Sequence, residues 1–190
     1  SGSSCKKAKK SGSLGKIWIW GRFNLWGTKI SMDDEKPDIS EFGSVDPAPP
    51  SESQNISSLR TTLCDEKERM FLRMRSLFAL RNIGGKDAID SLAAAFNSDS
   101  ALLKHEIAYV LGQMQDSNAV PHLVRRLEDE SEDAIVRHEA AEALGAIGDR
   151  VALATLETFK NDPEVVVAES CEVALDLLEW ISSDRLDYSD

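Results

Sequence analysis

Cysteine is scarce in this chain. There are three in 190 residues, Cys5, Cys64 and Cys171, and no C-x-x-C among them. Three thiols cannot all pair, so a disulfide framework is a poor fit and a reducing compartment, the cytoplasm, a better one. Long apolar runs are also lacking, and nothing approaches the length of a membrane span. Near the basic N-terminus the apolar stretch Ile17–Trp20 is too short for a signal peptide, and Gly21 and Arg22 interrupt it. No segment sustains the alternation of a half-buried strand, so no strands are expected. The chain has no G-x-S-x-G, no P-loop and no cysteine beside a neighbouring base. The zinc-protease pattern H-E-x-x-H fails twice, because Tyr109 and Glu142 stand in its last position.

Acidic side chains are missing from the N-terminal end, and basic ones are outnumbered in the rest of the chain. Residues 1–31 hold seven basic side chains and no acid, whereas residues 44–190 hold 14 basic and 28 acidic ones. An acidic body lacks the basic face that nucleic acid requires. It suits a basic partner, or is a well-solvated surface.

Composition divides the chain into three zones. Residues 1–43 open on SGSSCKKAKKSGSLGK and continue into IWIWGRFNLW, with Trp18, Trp20 and Trp26 close together. This basic, Trp-rich extension reads as disordered or non-native, with Met32 as a candidate start. The competing reading is an anchor for a membrane interface or nucleic acid. Residues 44–53 carry Pro47, Pro49 and Pro50 and read as an extended linker. Residues 54–190 are helical by pattern. Apolar residues recur at Leu103, Ile107, Val110, Leu111 and Met114, and again at Val136, Ala140, Ala143, Leu144 and Ile147. Gly84 and Gly85 end one helix, and Asp162-Pro163 should open another, as N-cap and first helical residue.

The second of these stripes is a copy of the first. KHEIAYVLGQMQD, from Lys104, lies over RHEAAEALGAIGD, from Arg137, with an offset of 33. Degenerate copies flank them, RSLFALRNIGG (75–85) before and AESCEVALDLLEW (168–180) after. Each alternates with a second helix: KDAIDSLAAAF, AVPHLVRRLED or RVALATLETFK. Helix pairs at this period stack into an α-solenoid of HEAT type, here about four pairs sharing one core.

The two central copies carry His-Glu; the outer ones have Met74-Arg75 and Glu169-Ser170. At 100° per residue His105 falls nearly opposite the apolar stripe, beside Ala108, Tyr109 and Gly112. His138 likewise sits beside Ala141, Glu142 and Gly145. Both are therefore expected on a second, concave face, among small residues that leave space. Neighbouring helices lie about 8–10 Å apart, so two in-register pairs can bring two imidazoles and two carboxylates together. Nitrogen and oxygen donors without thiolate suit iron, manganese or zinc. The fourth group is left to bridge, accept a proton or hold a cationic substrate. Two duplicated but inert surface pairs, on a metal-free protein-binding scaffold, are the alternative. His122, behind Pro121 on an alternate helix, is expected at the surface.

Several long motifs resemble the deoxyhypusine hydroxylase family: SALLKHEIAYVLGQMQD, VRHEAAEALGAIGD, RSLFALRNIGG, SVDPAPP and ESCEVALD. The resemblance covers the chain from Ser44 to the mid-180s and corresponds to the family's C-terminal half. It implies an all-α HEAT-like metalloenzyme that uses O2 at a di-iron centre. Its partner would be eukaryotic translation initiation factor 5A, whose deoxyhypusine side chain it hydroxylates to hypusine. By position, His105, Glu106, His138 and Glu139 match four metal-site residues. His105, His138 and Glu139 are then direct ligands of one Fe(2+), with Glu106 beside them or on the substrate's amine as a catalytic contact. The family brings two such sets, one per half, and this sequence has one. The resemblance therefore implies a partial product, an isolated one-iron domain, or a homodimer that rebuilds the cleft.

Overall fold

The structure, a computed structural model, describes residues 46–183. The basic, Trp-rich extension lies outside the described residues, as does Cys5. Among the described residues there are eight α-helices and no strand: α1 Ile56–Cys64, α2 Met70–Ile83, α3 Gly85–Ala94, α4 Ala101–Met114, α5 Val120–Leu127, α6 Ala134–Ile147, α7 Leu153–Phe159 and α8 Val165–Ser182. They form four pairs in two layers. The even-numbered helices lie side by side; α1, α5 and α7 lean on α2, α6 and α8, and α3 packs chiefly on α1 and α2 and less on α4.

The apolar stripes meet in one continuous core. Leu103, Ile107, Val110 and Leu111 of α4 are buried, as are Val136, Ala140, Ala143 and Leu144 of α6. Met114 and Ile147, the last residues of the two stripes, pack at its margin. No pair could bury its stripe alone, which is why the pairs stack.

The helix starts are set by short polar side chains. Asn55 accepts from the Ser58 N–H, Ser100 from the Leu103 N–H and Asp133 from the Ile135 N–H. The expected start at Asp162-Pro163 is corrected: α8 begins at Val165, with Glu164 as its cap. Asp162 instead accepts from the Glu164 N–H at 2.9 Å and takes the Arg137 guanidinium. The ion pair holds it one turn short of the helix. The helix ends are set by backbone handedness. Gly148 closes α6 at φ 76°, a conformation that costs glycine nothing. One repeat earlier Gln115 adopts φ 49°, and its side-chain amide donates to the Ala146 carbonyl at 3.1 Å.

A ladder of basic side chains staples successive pairs. Arg73 donates through Nε to the Leu63 carbonyl, and Arg137 does the same to Leu127, so each ties the end of the preceding helix. Their outer nitrogens reach the next pair, Arg73 to Ser98 Oγ and Arg137 to Asp162. Lys104 is the intervening rung, paired with Glu132.

The spacing between even helices is set by what stands at one repeated position. Gly112 of α4 faces Ala143, and Gly145 of α6 faces Ala174. A Cβ on either glycine would lie 3.0 Å or 2.9 Å from the facing backbone. At the corresponding place in α2 stands Arg81, and α2 touches α4 far less extensively. The Arg81 guanidinium is taken by Asp46 at 2.7 Å and by Gln113 at 3.0 Å. Asp46 belongs to the Pro-rich stretch, which has no helix and lies along α2. There Arg75 donates to the Pro49 and Pro50 carbonyls, Ser51 N–H donates to the Arg75 carbonyl, and Ala48 is buried.

Candidate metal centre

The glycine contact puts α4 and α6 backbone to backbone, and the His-Glu pairs lie on these two helices. His105 Nε2 is 3.2 Å from Glu139 Oε2, across the seam. The rings of His105 and His138 stand 5.6 Å apart, centre to centre, tilted by 43°. One ligand atom each from His105, His138 and Glu139 fall within 4.8 Å of one another, close enough for one ion. Glu139 is buried at 8 % exposure; the two imidazoles are half-buried. Glu106 does not join these three. The charges of His105, Glu139, Asp46 and Arg81 all bear on it.

The small residues around the histidines do not leave the expected space. Ala108 and Ala141 are fully buried, and Gly112 and Gly145 are in contact with the next helix. Small side chains are needed there because the helices touch. The histidines remain accessible because they point beyond that contact.

The electrostatics are those of carboxylates crowded around two imidazoles. The hydrogen bond to Glu139 pushes the His105 pKa above its ordinary value, against the opposing effect of burial. Burial pushes the Glu106 carboxyl up, and the charges of Glu139 and Asp46 add to this, while His105 and Arg81 act against it. The hydrogen bond from His138 holds Glu142 below the usual carboxylate range.

Two residues at the site had no place in the expected ligand set. Glu142, one turn after His138, has its Oε1 3.5 Å from His138 Nδ1. Ser170 of α8 lies 3.5 Å from the same Nδ1 and donates to Glu142 Oε1 at 3.1 Å. The signal for Ser170 lay in the fourth repeat, where Glu169-Ser170 replaces His-Glu.

His122 is elsewhere and is half-buried rather than plain surface. It links α5 to α3, with Nε2 3.5 Å from Asp90 and Nδ1 2.7 Å from Arg125. A groove between α7 and α8, lined by Arg150, Glu157, Glu172 and Asp176 among others, includes none of the His-Glu residues. Among the described residues no helix is long and apolar enough to cross a membrane.

The family of HEAT repeats matches residues 92–176, and the PBS lyase HEAT-like repeat matches residues 72–98. A deoxyhypusine hydroxylase of Gallus gallus is 50 % identical over 156 residues, covering 82 % of this chain and 52 % of that protein. The Homo sapiens deoxyhypusine hydroxylase is 48 % identical over 155 residues, covering 82 % and 51 %. A solved structure of human deoxyhypusine hydroxylase in complex with glycerol superposes with a TM-score of 0.71 at 50 % identity, covering 76 % of this chain and 50 % of that one. The chain spans about half the length of the curated relatives it matches. It is thus a HEAT-repeat homologue of the deoxyhypusine hydroxylases, matching about half of their length.

Proposed function

We propose that this chain supplies one half of a deoxyhypusine hydroxylase site, with His105, His138 and Glu139 holding one iron and Glu106 receiving the substrate's amine. The observation that carries this reading is the convergence of two imidazoles and one carboxylate within 4.8 Å on adjacent helices. The donor set fits: nitrogen and oxygen ligands without thiolate suit Fe(II), and three protein ligands leave positions open. Iron held there would activate O2 for hydroxylation of a C–H bond. The substrate is then the deoxyhypusine side chain of eukaryotic translation initiation factor 5A, and the place of action the cytoplasm.

The chain's own residues fill distinct roles. His105 and Glu139 give up their mutual hydrogen bond when both bind metal, and the other ring nitrogen of each imidazole remains for a protein partner. Glu106 suits a cationic amine. Burial penalises its ionised form, so an ammonium group beside it restores the charge that burial disfavours. The acidic body around the site favours approach of such a cation. One set of His-Glu pairs is present, so a two-iron site takes its second set from the rest of a longer chain or from a second copy of this one.

The test is iron per chain. The protein is loaded anaerobically with Fe(II) and passed over a sizing column, with mass and metal read in the same peak. About one iron per chain is expected, lost in His138→Ala. A dimer with that iron content would then be assayed for hydroxylation of deoxyhypusine-bearing factor 5A. A folded chain that retains no iron refutes the reading.

A further inference from the structure

The His-Glu residues do not account for a third helix at the site. Ser170, on α8, is buried at 5 % exposure and lies 3.5 Å from His138 Nδ1. Glu142 Oε1 lies at the same distance from that nitrogen and also accepts the Ser170 hydroxyl at 3.1 Å. Two polar groups, one from α6 and one from α8, thus meet at one ring nitrogen. His105 is held differently. Its Nε2 faces Glu139 directly, and the residue one turn after it is Tyr109, where α6 has Glu142.

We infer that Glu142 and Ser170 are positioning residues for His138: they fix its ring with the proton on Nδ1 and so leave the Nε2 lone pair for the ion. The inference rests on the metal reading above. An ionised carboxylate only accepts hydrogen bonds, so the ring nitrogen that faces Glu142 is the donor. A neutral imidazole carries one N–H, which makes the other nitrogen the ligand atom. Ser170 has one hydroxyl proton and gives it to Glu142, and this fixes the carboxylate oxygen in turn. Histidine ligands are commonly oriented by such an outer carboxylate. The fourth repeat, which lacks His-Glu, is brought close to α6 by the contact of Gly145 with Ala174. It supplies the serine that completes the support.

The test uses the full chain and the variants Glu142→Gln, Glu142→Leu and Ser170→Ala, each checked for helical content by circular dichroism. Two readouts are taken: the His138 ring tautomer by 15N correlation spectra without metal, and Fe(II) affinity by anaerobic titration. The wild type should show the Nδ1–H form. Glu142→Gln keeps an acceptor oxygen and should keep both tautomer and affinity. Glu142→Leu should lose the tautomer preference and bind Fe(II) about 10–100-fold more weakly; Ser170→Ala should fall between. An Nε2–H ring in the wild type overturns the proposal whatever the metal does. So does a folded Glu142→Leu with unchanged tautomer and affinity, although the metal reading then survives. A wild type with the Nδ1–H ring that binds no Fe(II) overturns the metal reading, and with it the proposed purpose of the contact.

Discussion

Replacing Arg137 by methionine should be among the most damaging single changes in this fold, although no ligand is touched. Arg137 and Asp162 form a bidentate pair with side-chain exposures of 4 % and 2 %, and Arg137 Nε also holds the Leu127 carbonyl. Methionine keeps the stem that packs near Phe159, over whose ring the guanidinium stands at 5.4 Å, but leaves Asp162 as a buried, uncompensated carboxylate. Breaking a buried pair from one side costs about 3–5 kcal/mol. A domain of this size has roughly 7–20 kcal/mol in total, so the loss takes a large share. At about 2–4 °C per kcal/mol, the melting temperature should fall by about 6–20 °C. Urea and thermal melts followed at 222 nm measure it. A loss under about 1 kcal/mol would refute the argument that the pair is both buried and mutually required.

The pH dependence supplies a second, independent check. In the wild type, burial works against ionisation of Asp162, but the Arg137 hydrogen bonds prevail and hold its carboxyl below the usual range. Its stabilising contribution is therefore present above the unfolded value, about 3.9, and is lost as pH falls through the lower folded value. In Arg137→Met burial acts without opposition, so the folded pKa rises above the unfolded one. The penalty is then full at neutral pH and is relieved as Asp162 protonates. The gap between wild type and variant should narrow as pH falls from 7 toward 4. Asp162→Asn added to Arg137→Met should recover most of the loss at pH 7, since the side-chain amide still caps the turn and carries no charge. A gap that widens on acidification would show that the carboxylate is not the source.

Gly112→Ala and Gly145→Ala each gain about 1 kcal/mol of helix propensity against about 1–3 kcal/mol of overpacking. Urea melts should therefore show similar net losses of up to about 2 kcal/mol, but Fe(II) titration should weaken more for Gly112→Ala, which forces α4 from α6. Cys171 is fully buried, and burial pushes its pKa up to about 12. In a Cys5→Ser background its thiol should resist labelling that reaches the half-buried Cys64. Because the unfolded thiol ionises first, the protein should lose up to about 1.4 kcal/mol per pH unit between about 9 and 12. Arg81→Ala removes the anchor of Asp46 and should speed limited proteolysis within residues 46–53 while α4–α8 stay protected.

What was legible in the sequence is what repeats. The apolar stripes of α4 and α6, the offset of 33 and the two His-Glu pairs are local patterns, and the structure places them as two adjacent helices with His105 against Glu139. What was not legible depends on contacts between elements. α1 carries no copy of the repeat motif, and its Leu59 and Leu63 find the core only because α2 and α3 are there. The true start of α8 depends on Arg137, 25 residues earlier, drawing Asp162 away. The prolines of 44–53 announce an extended backbone, but nothing in them shows that Arg75 will take their carbonyls. Ala108 and Gly112 look like space in a single helix. Only the neighbouring helix shows them to be a contact.

The same contact explains why the candidate metal ligands converge at one seam. Even helices meet at three seams, and the repeated position just before each helix end sets how close they come. At α2–α4 that position is Arg81, the two helices touch far less extensively, and α2 carries no His-Glu. At α6–α8 Gly145 allows close approach, as Gly112 does at α4–α6. There the residue that meets His138 is Ser170, which can donate and accept hydrogen bonds but is a poor ligand for iron. The α4–α6 seam alone has both the glycine and a His-Glu on each side. Close approach and donor residues are separate requirements, met by separate positions of the repeat. A search for such sites in other solenoids should therefore score the glycine one helical half after the histidine, and not the His-Glu pair alone.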